Sequence, residues 1–146
     1  MRVAVVGVGL IGGSVGIRAR ERLGAHVTGW DPDAAAVTSG CAVGALDTGA
    51  PSLAAAVADA DVAVIAAPVG VLPGLVAEVL AAAPAECAVT DVGSTKRAVV
   101  SVDERFCGGH PLAGAEHAGV EHARGDLFEG AIWYLTPGPT TSGILF

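Results

Sequence analysis

An α/β fold built on a doubly wound, mostly parallel sheet is the architecture this chain predicts, and three observations predict it. Strand-like and helix-like segments alternate from one end of the chain to the other. The first apolar run, Val3 to Val6, feeds directly into Gly7-Val8-Gly9-Leu10-Ile11-Gly12, a G-x-G-x-x-G turn ahead of an amphipathic stretch. An acid, Asp31, closes the second strand-like run. Strand, glycine turn, helix, strand and acid in that order predict a Rossmann-type, NAD(P)-binding domain.

The elements follow from local pattern. Residues 2–6 read as strand one and residues 10–23 as helix one, closed by Gly24. Residues 25–30 read as strand two, and residues 33–39 as a helix stopped by Gly40. A short third strand is expected at 42–45. Residues 52–58 are helical behind Pro51, 62–66 form strand four, and 71–83 form a helix that ends before Pro84. Strand five is expected at 87–90, a helix at 95–102, strand six at 106–109 and strand seven at 131–135. Residues 1–137 then make one dinucleotide-binding domain, and 138–146 begin a linker.

Each glycine of the turn has its own reason. Gly7 allows the tight turn, Gly9 lets the backbone approach a pyrophosphate, and Gly12 lets the helix pack close to the strand. Leu10 and Ile11 begin the helix, whose unpaired N–H groups and positive dipole end suit phosphate. Asp31 can accept both hydroxyls of an adenosine ribose and would repel a 2′-phosphate. No Arg or Lys follows in Pro32-Asp33-Ala34-Ala35-Ala36, so the reading is NAD over NADP. The alternative for Asp31 is a cap on the next helix, with Pro32 in its first turn.

Composition narrows the field. The chain has 146 residues, enough for one sizeable core, and is 52% hydrophobic but only 4% aromatic. A net charge of −7 with scattered Lys and Arg argues against nucleic acid and anionic membrane surfaces. Cys41, Cys87 and Cys107 form no C-x-x-C pair, so neither a disulfide framework nor a zinc site is expected, and a reducing cytoplasm is. Glu116, His117, Glu121 and His122 match no standard zinc spacing, so no metal is expected there. No stretch is apolar and long enough to span a bilayer uninterrupted.

In an open α/β sheet, ligands bind beyond the carboxyl ends of the strands. Ala67-Pro68 follows strand four, Asp91-Val92-Gly93-Ser94-Thr95-Lys96 follows strand five, and Gly109-His110-Pro111 follows strand six. These three turns are expected to converge over the nicotinamide half of a cofactor laid across the sheet, with Ala67, Pro68 and Ser94 in contact with it. An imidazole near neutral pKa can take a hydroxyl proton while a dinucleotide takes the hydride. Ser94 has the alternative of a helix cap, His110 that of a turn histidine, and Lys96 reads as a solvated first-turn lysine.

Three strings resemble one family. Gly108-Gly109-His110-Pro111-Leu112-Ala113-Gly114-Ala115-Glu116-His117-Ala118-Gly119, the strand-five turn 91–96, and 7–14 resemble the prephenate/arogenate dehydrogenases of tyrosine biosynthesis. Leu127-Phe128-Glu129-Gly130 and Tyr134-Leu135-Thr136-Pro137 extend the likeness. The resemblance implies NAD(P)-dependent oxidative decarboxylation of prephenate or arogenate. It implies that His110 is catalytic, that Ser94 orients it and the nicotinamide, and that Glu116 gates the substrate mouth. It also implies a helical C-terminal domain, absent from this sequence, that supplies a substrate-gripping arginine and forms a homodimer. Alternatives from the same glycine turn are a β-hydroxyacid dehydrogenase, an imine reductase or a non-catalytic NAD sensor. None of these expects histidine after strand six.

Overall fold

In a computed structural model, which describes residues 1–99, 101, 103–114 and 116–143, seven strands form one sheet in the order β3-β2-β1-β4-β5-β6-β7. The strands are β1 (Arg2–Val6), β2 (His26–Trp30), β3 (Thr48–Gly49), β4 (Val62–Ile65), β5 (Ala88–Asp91), β6 (Phe106–Pro111) and β7 (Trp133–Pro137). The first six run parallel, and β7 pairs antiparallel with β6, setting His110 opposite Tyr134. Four α-helices accompany them among the described residues: α1 (Leu10–Leu23), α2 (Ala34–Ala42), α3 (Leu53–Val57) and α4 (Leu72–Ala82).

The sheet is clothed on both faces, which is why β1 is apolar from Val3 to Val6 rather than alternating. Val3 and Val5 pack with Val27 beneath α1 and α2, while Ala4 and Val6 pack with Ala63 and Ile65 beneath α3 and α4. The strand order reverses between β1 and β4, so the carboxyl ends of β1, β2 and β4 open onto one crevice. On the face away from α3 and α4, Val62, Ala88, Thr90, Cys107, Trp133 and Leu135 line a separate, mainly apolar groove of about 480 Å³.

Four expectations are corrected. Residues 42–45 are not a strand; α2 runs through Gly40 to Ala42, and the strand is Thr48–Gly49. A Cβ on Gly40 would lie 2.7 Å from Val8 Cγ1, so this glycine serves close packing and does not stop the helix. The stop comes at Gly44 (φ +77°), after which Ala45 and Leu46 plug the core before pairing begins. The helix expected at 95–102 is absent from the described residues of that stretch, because Lys96 folds back onto the strand-five turn; Val100 and Val102 lie outside the described residues. Strand seven starts two positions later than expected, after a run of turns from Gly125 to Gly130.

The end of the sheet remote from the crevice is locked by Arg105. Its guanidinium donates to Asp103 and to the carbonyls of Leu80 and Pro84. The hydrogen bond from Arg105 holds the Asp103 carboxyl below the usual carboxylate range. Burial raises the thiols of Cys87 and Cys107, so both stay protonated packing groups, whereas Cys41 is exposed. Residues 138–143 turn back on the start of β6: Thr141 Oγ1 donates to the Phe106 carbonyl and Ser142 N to that of Glu104. The three apolar residues that close the sequence, 144–146, lie outside the described residues. No described helix is long and apolar enough to cross a membrane.

Candidate dinucleotide and active site

The glycine turn bridges β1 and α1. Gly7 has φ +97° and donates its N–H to the Trp30 carbonyl; a Cβ there would sit 2.3 Å from the Ala66 carbonyl oxygen. Gly12 is tighter still, since its Cβ would lie 2.0 Å from the Gly7 carbonyl oxygen. Both glycines are required by the fold itself. Gly9 is different: its φ is −102°, and a Cβ there would meet nothing within 4 Å. Gly9 is also the N-cap of α1, with no side chain capping the first turn. The N–H groups of Leu10 and Ile11 therefore have no side-chain cap at the positive end of a 14-residue helix.

Asp31 is tied to the same turn. Its Oδ2 accepts from Val8 N at 2.8 Å and its Oδ1 from Asp33 N at 2.8 Å. The cap of α2 is Asp33, which accepts from Ala35 N, so the capping alternative for Asp31 is replaced by a contact with the glycine turn. A cavity of about 480 Å³ opens here, lined by Gly7, Asp31, Ala67, Pro68, Val71 and Leu75 among others. Gly7, Asp31, Ala67 and Pro68 thus share one crevice, with Gly9 at the adjoining turn. The residues present fit a dinucleotide: room beside the helix N-terminus for phosphates, a carboxylate for a ribose, and an apolar wall for a base.

Ser94 and His110 stand at the ends of the neighbouring strands β5 and β6. Ser94 is exposed and His110 half-buried, and neither side chain makes a hydrogen bond to another described residue. Ser94 caps no helix among the described residues. Glu116 is exposed in the loop after β6. That loop is anchored on α1: Arg124 N donates to Ser14 Oγ at 3.0 Å, and a Cβ on Gly13 would lie 2.7 Å from Val120 Cγ2. His117 and His122 stack at 5.0 Å in the same loop.

Two features escape a reading of the sequence. Among the described residues, only Ser14 and Asp91 are fully buried polar side chains, and both hold the site together. Lys96 is not solvated; it is mostly buried and donates to Asp91 Oδ2 and the Gly93 carbonyl. The D-x-x-x-x-K spacing carries that signal once a turn rather than a helix is expected after β5.

A parallel sheet with a bare glycine turn at its switch point and an acid beyond the second strand defines a dinucleotide-binding domain of the Rossmann type. The sequence pattern of the prephenate dehydrogenase nucleotide-binding domain matches residues 16–143. Prephenate dehydrogenase of Bacillus subtilis is 34% identical over 148 residues, covering 95% of this chain and 40% of that protein. A Synechocystis arogenate dehydrogenase superposes with a TM-score of 0.90 at 27% identity, covering 99% of this chain and 52% of that one. Prephenate dehydrogenase of Aquifex aeolicus, in complex with hydroxyphenyl propionate and NAD+, gives 0.87 at 27% identity over 99% and 53%. The chain belongs to the prephenate dehydrogenase family and constitutes its nucleotide-binding domain. It spans about half the length of these solved relatives and 40% of the B. subtilis protein.

Proposed function

We propose that this domain binds NAD+ and serves the oxidative decarboxylation of prephenate to 4-hydroxyphenylpyruvate, or of arogenate to tyrosine. Gly9 carries the reading: a glycine that neither its φ nor its packing requires leaves space beside the helix N-terminus. Leu10, Ile11 and Gly12 present their N–H groups to the pyrophosphate, Asp31 holds the adenosine ribose, and Ala67 and Pro68 wall the cavity. Bound there, NAD+ supplies the hydride acceptor.

The remaining residues act on the substrate. His110 accepts the proton of the ring hydroxyl as hydride leaves the carbon that bears it; carbon dioxide departs, the ring becomes aromatic, and the imidazolium returns the proton to the phenolate oxygen. Ser94 orients the imidazole and the nicotinamide, and Glu116 guards the mouth. The main task is alignment of hydride, proton and carboxylate. Arg105 is engaged at the opposite end of β6, so it does not supply the cation for the substrate carboxylate. Pairing of two copies through a further C-terminal half belongs to the same proposal.

Gly9→Ala tests the cofactor site. Melting temperature falls by only a few degrees, as for the roughly 0.5–1 kcal/mol that alanine costs in place of glycine at a helix N-cap. NAD+ affinity measured by calorimetry falls about tenfold or more, since the methyl takes the place of a pyrophosphate contact worth roughly 1.5–3 kcal/mol. Unchanged affinity in the folded variant would remove the turn from the site.

Asp31 sets the choice between cofactors. NAD+ binds more tightly than NADP+ in a parallel titration, because a carboxylate pairs with the ribose hydroxyls and repels a 2′-phosphate. Asp31→Ala weakens NAD+ by about 1–3 kcal/mol, the loss of charge-assisted bonds. Tighter NADP+ binding by the parent would contradict the assignment.

A further inference from the structure

The Asp91–Lys96 pair takes no direct part in the chemistry above, yet Asp91 is the only fully buried charged side chain among the described residues. Asp91 is fully buried at the end of β5. A buried carboxylate is tolerated only when charge and hydrogen bonds are both supplied. Here Lys96 Nζ donates to Oδ2 at 2.5 Å, Gly93 N donates to Oδ2 at 2.8 Å, and Gly109 N donates to Oδ1 at 3.3 Å. Lys96 also donates to the Gly93 carbonyl at 2.8 Å, closing the turn on itself.

The two backbone donors are the residues immediately before Ser94 and His110. One carboxylate, through its two oxygens, therefore fixes the backbone entering both proposed site residues. Glycine at both places permits this approach. A Cβ on Gly93 would lie 2.9 Å from Asp91 Oδ2 and 2.5 Å from Leu72 Cδ1; one on Gly109 would lie 2.6 Å from the Asp91 carbonyl oxygen. Lys96 passes over β6 on its way to the carboxylate, since a Cβ on Gly108 would meet its Cδ and Cε at 3.1 Å.

We propose that Asp91, with Lys96 as its counter-ion, is a positioning residue that sets the orientation of Ser94 relative to His110 across the β5–β6 edge. The role of Ser94 and His110 in the chemistry rests on the function proposed above; the mechanical link does not. An apolar pair would fill the same volume without joining the two turns. The ion pair supplies direction: two fixed acceptor oxygens, one for each strand end.

The test uses this chain, folded and isotope-labelled, with Lys96→Met as the first variant and Lys96→Arg as the conservative one. Residual dipolar couplings of the Ser94 and His110 amides report their relative orientation without ligand. Nuclear Overhauser contacts from the nicotinamide protons of added NAD+ to the His110 ring report it with ligand. Lys96→Met changes the couplings at Ser94 and His110 and loses the nicotinamide contact. Its NAD+ affinity falls less than that of Gly9→Ala, because the phosphates and adenosine are held at the glycine turn and Asp31. Lys96→Arg restores the couplings and the contact. A folded Lys96→Met chain with parent couplings overturns the proposal, whatever its melting temperature. Should Lys96→Met fail to fold, the neutral double variant Asp91→Asn with Lys96→Gln is read by the same couplings: altered values support the positioning role, and parent values overturn it. Failure of the functional reading shows elsewhere: the parent binds NAD+ with no contact to His110, and the ligand-free couplings still decide the positioning role.

Discussion

His110→Asn lowers kcat about a hundredfold or more in a form of the enzyme long enough to turn over prephenate, the usual scale of general acid–base help. The amide keeps a similar size and can still hydrogen-bond, but it cannot accept a proton near neutral pH. The affinity for NAD+ is almost unchanged, because the phosphates and adenosine are held at the glycine turn and Asp31, on the other side of the switch point. His110 lies on β6, opposite Tyr134 of β7, so its backbone is fixed by strand pairing and the substitution leaves the strand intact. Stopped-flow measurement of NADH formation, beside an NAD+ titration, separates the two effects. Near-parent turnover would reduce His110 to a turn residue.

Gly12→Val has the largest expected effect on stability. A Cβ at this position would lie 2.0 Å from the Gly7 carbonyl oxygen, 3.0 Å from Val5 Cγ1 and 3.1 Å from Ala66 Cβ. Two of these three belong to backbone or to the centre of the sheet, where β1 is buried over four consecutive residues. A branched side chain forces α1 off β1, and overpacking of this severity costs about 3 kcal/mol or more. That is a large share of the roughly 5–15 kcal/mol that holds a domain together. Urea denaturation measures it. The contrast with Gly9→Ala, three residues earlier, separates glycines the fold needs from the one the ligand needs.

That contrast also marks what can be read from the sequence. The glycine turn, β1, α1, β2 and Asp31 are legible because their order is dictated by one local event, a strand handing phosphate to a helix. The strand ends that carry Ala67, Ser94 and His110 are legible because apolar runs mark β4 to β6. Gly40 misleads, since a glycine inside a helix and a glycine that ends one look alike until the neighbour it admits, Val8, is known. The stretch after β5 misleads for a related reason. Lys96 has ordinary helix propensity, but a buried carboxylate five residues back outweighs propensity by drawing its ammonium inward. Long-range partners of this kind, with Ser14 and Arg124 as another pair, leave no periodic trace.

Dinucleotide binding at the switch point is tested most directly by a map of amide shifts during titration of this chain with NAD+. Binding is saturable, with the largest changes at Val8, Gly9, Leu10, Ile11 and Asp31 and a second group at Ser94 and His110. Absence of binding, or changes confined to the groove lined by Ala88, Cys107 and Leu135 on the sheet face, would contradict it.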